Sequence, residues 1–166
     1  MSFSIPLRER YYEIDSMIVR GMARWGVPLL RVSVGVVFLW FGVLKFCPGL
    51  SSAEGLALKT TEALTFGLVP PGVALLVLAT WETAIGIGLL VGRYLRAVLA
   101  LLFLQMVGTF SPLLLFPFET FVVPPFVPTL EGQYILKNFV LVSAGLVIGA
   151  TVRGGRLVEN AAPRGG

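Results

Sequence analysis

From Pro70 to Arg93 the chain reads PPGVALLVLATWETAIGIGLLVGR, an apolar run interrupted by a single carboxylate, Glu82. A helix of roughly 20 residues crosses a bilayer, and this run is long enough. A carboxylate at bilayer depth is costly unless it is protonated, paired or wetted. An intramembrane Glu is therefore a candidate site by default.

Three more runs share this character, and together they predict four spans, at residues 27–46, 71–92, 97–115 and 135–152. Pro28 suits the first turn of the first span, and Pro112 and Pro117 break the third. The fourth closes on Arg153-Gly154-Gly155-Arg156. With 56% hydrophobic and 13% charged residues, the chain lies outside the range of soluble domains. The expected fold is all-α: a polytopic four-transmembrane-helix bundle over residues 27–153. It is preceded by a cytoplasmic or interfacial segment, 1–26, and followed by a cytoplasmic tail, 154–166.

The net charge of +4 does not point to nucleic acid, because the arginines cluster at the ends of apolar runs. Arg8, Arg10, Arg20, Arg24 and Arg31 precede or open the first span. Arg93 and Arg96 lie in the second-to-third loop, and Arg153, Arg156 and Arg164 in the tail. Lys45, Lys59 and Lys137 fall on the opposite side. The positive-inside rule then places both termini in the cytoplasm. Residues 1–24 are charged and have no compact apolar core before a cleavage site, so no cleavable leader is expected.

Residues 11–25 place Ile14, Ile18, Met22 and Trp25 at helical spacing, with Arg20 and Arg24 at the stripe's edge. This predicts either an interfacial helix on the leaflet or a helix packed under the bundle. The first outer loop carries a Ser N-cap signal at Ser51-Ser52 ahead of helix formers, which predicts a short surface helix. The second holds Pro117, Pro124, Pro125 and Pro128 among Phe116, Phe118, Phe121 and Phe126. It reads as an interfacial anchor or as a lid over a cavity. Gly88–Gly92 and Gly145–Gly149 are GxxxG pairs that permit close helix approach.

The chain has no His and one Cys, Cys47. It cannot supply alone the axial ligands of a typical haem, a Cys/His zinc set or a redox dithiol. A redox centre would be organic or a partner's. Cys47 itself reads as a small apolar residue.

Depth can be counted from the arginines that mark the inner boundary. Glu82 stands eleven residues from Arg93, roughly 16 Å along a helix. Trp40 is nine from Arg31 and Gln105 nine from Arg96, about 14 Å each; Ser143 is ten from Arg153, about 15 Å. Each span thus offers one polar-capable group near the midplane. Lys45 lies about 5 Å further out than Glu82, within reach of a flexible ammonium, and Lys137 lies further out still, with Asn138, Thr109 and Tyr134 nearby. Two readings stay open. These groups form a small-molecule or proton site, or they form hydrogen bonds that join helices. Lys45 and Lys137 also fit as snorkelling residues, and Trp40 and Trp81 as packing.

Three pieces, RVSVGVVFLWFGVLKF, WETAIGIGLLVGRYLR and LEGQYILKNFVLVSAGLVI, occur in an order that resembles the DoxX-like family, including its YkgB-type branch. The likeness covers roughly residues 28–153. It implies a four-helix membrane bundle and, by position, family-like polar residues at Lys45, Glu82, Gln133 and Lys137. The family's founder is associated, as a membrane subunit, with a thiosulfate:quinone oxidoreductase; other members are linked to oxidative or chlorine stress. Three functions follow. The first is a non-catalytic subunit or anchor of a respiratory or stress-response complex. The second is a quinone-linked subunit with Glu82 as proton relay. The third is a small transporter or lipid-binding protein. The expected partners are the bilayer and a membrane-protein complex or a second copy of the chain. No cofactor is expected, and quinone is the one that the second reading allows.

Overall fold

Each apolar run becomes a helix in a computed structural model that describes residues 5–47, 49–51 and 54–157. The elements run α1 (Ile5–Leu44), α2 (Glu54–Leu64), α3 (Pro71–Val91), α4 (Leu95–Phe110), α5 (Pro112–Leu115), α6 (Pro117–Thr120), β1 (Phe121–Val123), β2 (Val127–Pro128) and α7 (Leu130–Thr151). Four segments are long and apolar enough to cross a membrane: Arg10–Leu44, Pro71–Val91, Leu95–Leu115 and Leu130–Thr151. The protein is a multi-pass membrane protein.

The ends of the helices follow local chemistry. α3 starts at Pro71 and stops at Gly92, whose φ of 73° only glycine adopts freely. Pro112 cannot continue the ladder of α4, so the third span divides there into α4 and α5. α7 begins five residues earlier than the apolar pattern predicts. Thr129 caps it, accepting a hydrogen bond from the Gly132 amide, which lets Glu131 and Gln133 lie in the first turn. The proline-rich loop forms a small antiparallel hairpin, with Phe121 opposite Pro128, where an all-α chain was expected. Its β-branched and aromatic residues favour extended backbone once prolines exclude helix.

The expected boundary at residue 26/27 has no structural counterpart. α1 is one helix of 40 residues with Pro28 inside it. Membrane helices tolerate an internal proline because surrounding groups satisfy the freed carbonyl. At about 60 Å long, α1 exceeds the ~30 Å hydrocarbon core twofold, so its first half projects beyond the membrane. Ile14, Ile18, Met22 and Trp25 are all exposed on that half, so the stripe is not packed under the bundle. Pro48, Ser52, Arg164 and the side chain of Arg8 lie outside the described residues.

The core is lopsided. Val34, Ile85, Leu89, Leu102 and Ile148 fill the half of the bundle nearer the α3–α4 turn, here the arginine end. No comparable core occupies the half nearer α2, among the described residues. α1 and α3 form the closest helix pair. A β-carbon on Gly86 would overlap the Leu39 backbone, and one on Gly42 would lie 2.6 Å from the Thr83 nitrogen. Lipid gives no hydrophobic drive between helices, so backbone proximity and polar bonds must hold them. The GxxxG glycines do different work: Gly88 meets Val98 and Gly145 meets Phe103, both on α4. At the arginine end, Arg31 Nη1 of α1 donates to the Leu89 carbonyl of α3 at 2.7 Å. It supplies a cation to a helix C-terminus.

Gly86→Ala should therefore cost about 1–3 kcal/mol through overpacking and lower the melting temperature in lipid nanodiscs. Gly72→Ala, where a β-carbon meets nothing within 4 Å, should not lower it. Equal melting of both variants would show that the α1–α3 contact does not limit stability.

Candidate functional site

Glu82 lies on the face of α3 that the α1 backbone approaches. Gly42 is what brings α1 there, and Lys45 follows it by one helical turn, its amide bonded to the Gly42 carbonyl. The ammonium consequently lands on the carboxylate. Lys45 Nζ donates to Glu82 Oε2 at 2.6 Å, with side chains only 12% and 13% exposed. From α4, Gln105 Nε2 donates to Glu82 Oε1 at 3.0 Å. Both carboxylate oxygens are used, and three helices meet at one group.

This triad lines a cavity of about 440 Å³ in the half of the bundle without a core. That volume lies within the range of small-molecule pockets. Its walls are mainly apolar, with Phe38, Leu78 and Leu104 among them, and Thr109 and Asn138 add polar points. α2 forms the roof: Leu56, Ala57, Thr60 and Thr61 line the cavity, with Thr65 just past the helix end. The Thr60, Thr61 and Thr109 hydroxyls donate to their own helices, leaving oxygen lone pairs toward the space. Trp81 forms part of the wall, its indole N–H given to the Leu101 carbonyl at 3.1 Å. Beside Glu82, Thr83 Oγ1 is buried without a hydrogen-bond partner, the one such side-chain atom among the described residues.

The remaining depth-matched residues are elsewhere. Trp40 is 66% exposed on the outer face of α1, because two residues from Gly42 is a turn of about 200° around a helix. Ser143 is exposed and donates to Phe139 of its own helix. Lys137 is exposed, 5.3 Å over the Tyr134 ring. Gln133 is exposed too; its amide bonds the Thr129 carbonyl. The glycine before it, Gly132, has a plainer role: a β-carbon there would collide with the Thr120 carbonyl of the passing loop.

The proline-rich loop supplies no wall of the cavity between residues 113 and 130. Phe118 and Phe126 are exposed, as an interfacial anchor requires. The roof role falls to α2, which Lys59 ties to the loop through an ion pair with Glu119 and a contact with the Phe116 ring. Partners sixty residues apart leave no local signal of this clasp in the sequence.

The model of the DoxX family matches residues 26–116, which carry the first three spans and the whole triad. The chain belongs to the DoxX family. Lys45, Glu82 and Gln105 all fall within the matched part, whereas Gln133 and Lys137 lie past its end. Comparison with curated proteins found no match, and comparison with solved structures found none.

Removing one member of a buried pair leaves an uncompensated charge. Lys45→Met and Glu82→Leu should each destabilise the bundle by up to about 3–5 kcal/mol, and the double variant should recover much of that loss. Thermal unfolding of the four proteins in one lipid checks this. Additive losses would show that the two side chains do not act as a pair.

Proposed function

We propose that this DoxX-family protein is a bacterial inner-membrane subunit, with both termini cytoplasmic, that binds a quinone-class head group. The observation that supports the reading is an ion pair lining a mainly apolar cavity at membrane depth. Lys45 has N–H bonds to spare after serving Glu82, and the Gln105 amide has one. Both can donate to a carbonyl oxygen placed beside them. Glu82 is the protonatable group at that position and is suited to pass a proton when the bound head group is reduced. The electrons come from a partner, since a chain with no His and one Cys has few ligands for a metal centre.

A role as a structural subunit is compatible with this and has its own support. The projecting half of α1 carries an exposed apolar stripe, Ile14, Ile18, Met22 and Trp25, a surface suited to a protein partner or the leaflet. In this arrangement the bundle anchors a complex and supplies its quinone pocket.

Native mass spectrometry of the complex, extracted gently from its own membrane, should show a quinone at fixed stoichiometry with this chain. Glu82→Gln should keep the complex assembled and abolish its quinone turnover. Turnover preserved in that variant would remove the relay role. A stable partner with no bound small molecule would leave the structural role alone.

A further inference from the structure

The cavity reaches the bundle's surface between α3 and α4. The two helices are in contact beside their shared turn. Nearest the turn, Gly88 lies so close to Val98 that a β-carbon would overlap it. Two turns further along α3, the Trp81 ring spans the gap to the Leu101 carbonyl. At the same level, inside the bundle, Gln105 of α4 reaches Glu82 of α3, and beyond that pair no α3–α4 side-chain bridge occurs among the described contacts. Val77 and Leu104 line the cavity yet are 50% and 57% exposed at the bundle's surface. Gly108 also lines the cavity, and a β-carbon on it would meet nothing within 4 Å. Above the gap, α2 packs against both helices. The result is a slot with the Trp81–Leu101 bridge as its sill, Val77 and Leu104 as its sides and α2 as its lintel.

At this depth the slot faces acyl chains. A water-soluble ligand would have to cross lipid to use it, whereas a molecule dissolved in the bilayer is already at the opening. The polarity of the wall is graded to match. Glu82, Gln105 and Lys45 lie inside, and the slot itself is lined by Val77, Leu104 and Gly108. Along the α1–α7 side, Val37, Phe41 and Tyr134 also reach both cavity and surface. That seam is lined by two aromatic rings and has no glycine gap.

We propose that the ligand is an amphiphile that enters sideways between α3 and α4. Its polar head rests at Lys45–Glu82–Gln105, and its apolar tail stays in the slot and continues into the leaflet on the α2 side. This rests on the ligand-binding reading above and adds the route and the tail.

The test compares two probes in lipid nanodiscs, a decyl-substituted benzoquinone and its tail-less dimethoxybenzoquinone head, with native mass spectrometry as readout. Gly108→Leu puts a side chain into the slot without touching the triad. It should weaken the tailed probe roughly tenfold or more and leave the tail-less one as tight as in the parent. Val77→Trp, on the opposite side of the slot, should do the same and guards against a folding defect in either variant. Unchanged binding of the tailed probe by both variants overturns the slot. So does equal loss of both probes, or a loss seen only in Phe41→Trp on the α1–α7 side. A parent that binds neither probe overturns the quinone reading itself, and the slot with it.

Discussion

The distance between α1 and α3 sets the rest of the bundle. Gly42 and Gly86 lack the β-carbons that would keep the two backbones apart, and the Thr83 amide and Leu39 backbone occupy that room. Only at this separation does the side chain of Lys45, at the very end of α1, reach a carboxylate in the middle of α3. A bulkier residue at either glycine would move the ammonium away from Glu82. Glu82 would then be left to Gln105 alone. The packing of two helices and the electrostatics of the site are one constraint.

That constraint also accounts for the uneven interior. A charged pair taken out of water carries a desolvation penalty that its mutual attraction offsets only when geometry is good and further hydrogen bonds are made. Here both carboxylate oxygens are satisfied, by Lys45 and Gln105. The apolar core ends at about this level, and a cavity occupies the remaining half. A well-packed apolar core in place of the pair and the cavity would be the stabler construction. The bundle keeps an expensive group beside a cavity, an arrangement suited to binding more than to stability.

Position along a membrane helix is legible in sequence, and rotation about it is less so. Counting from arginines puts Glu82, Gln105, Trp40 and Ser143 at one depth, and the structure joins only the first two. Trp40 fails because it faces away from Gly42, and Ser143 because the buried face of α7 runs through Ala144 and Gly145 instead. In a soluble helix the apolar stripe would reveal the inward face. In α3, α4 and α7 the lipid side is equally apolar, so the stripe is lost and the face must be inferred from small residues. Gly42 and Gly86 carried that information, but the GxxxG spacing drew attention to other glycines. The four spans, the surface helix α2 and the Glu82–Lys45 approach were readable. The unbroken α1, the role of α2 as roof and the hairpin in the second loop depended on contacts between distant residues.

Arg31 and Lys45 pin α1 to α3 at two points fourteen residues apart, about 21 Å along the axis. One pin grips a carbonyl at the end of α3 and the other a carboxylate near its middle. Sliding α1 by a single residue would break both, and rolling it would drive a side chain into the space kept by Gly42. The pair has neither translational nor rotational slack. The α3–α4 seam is bridged twice as well, by Trp81 to the Leu101 carbonyl and by Gln105 to Glu82, so the charged wall stands where three helices are tied into one frame.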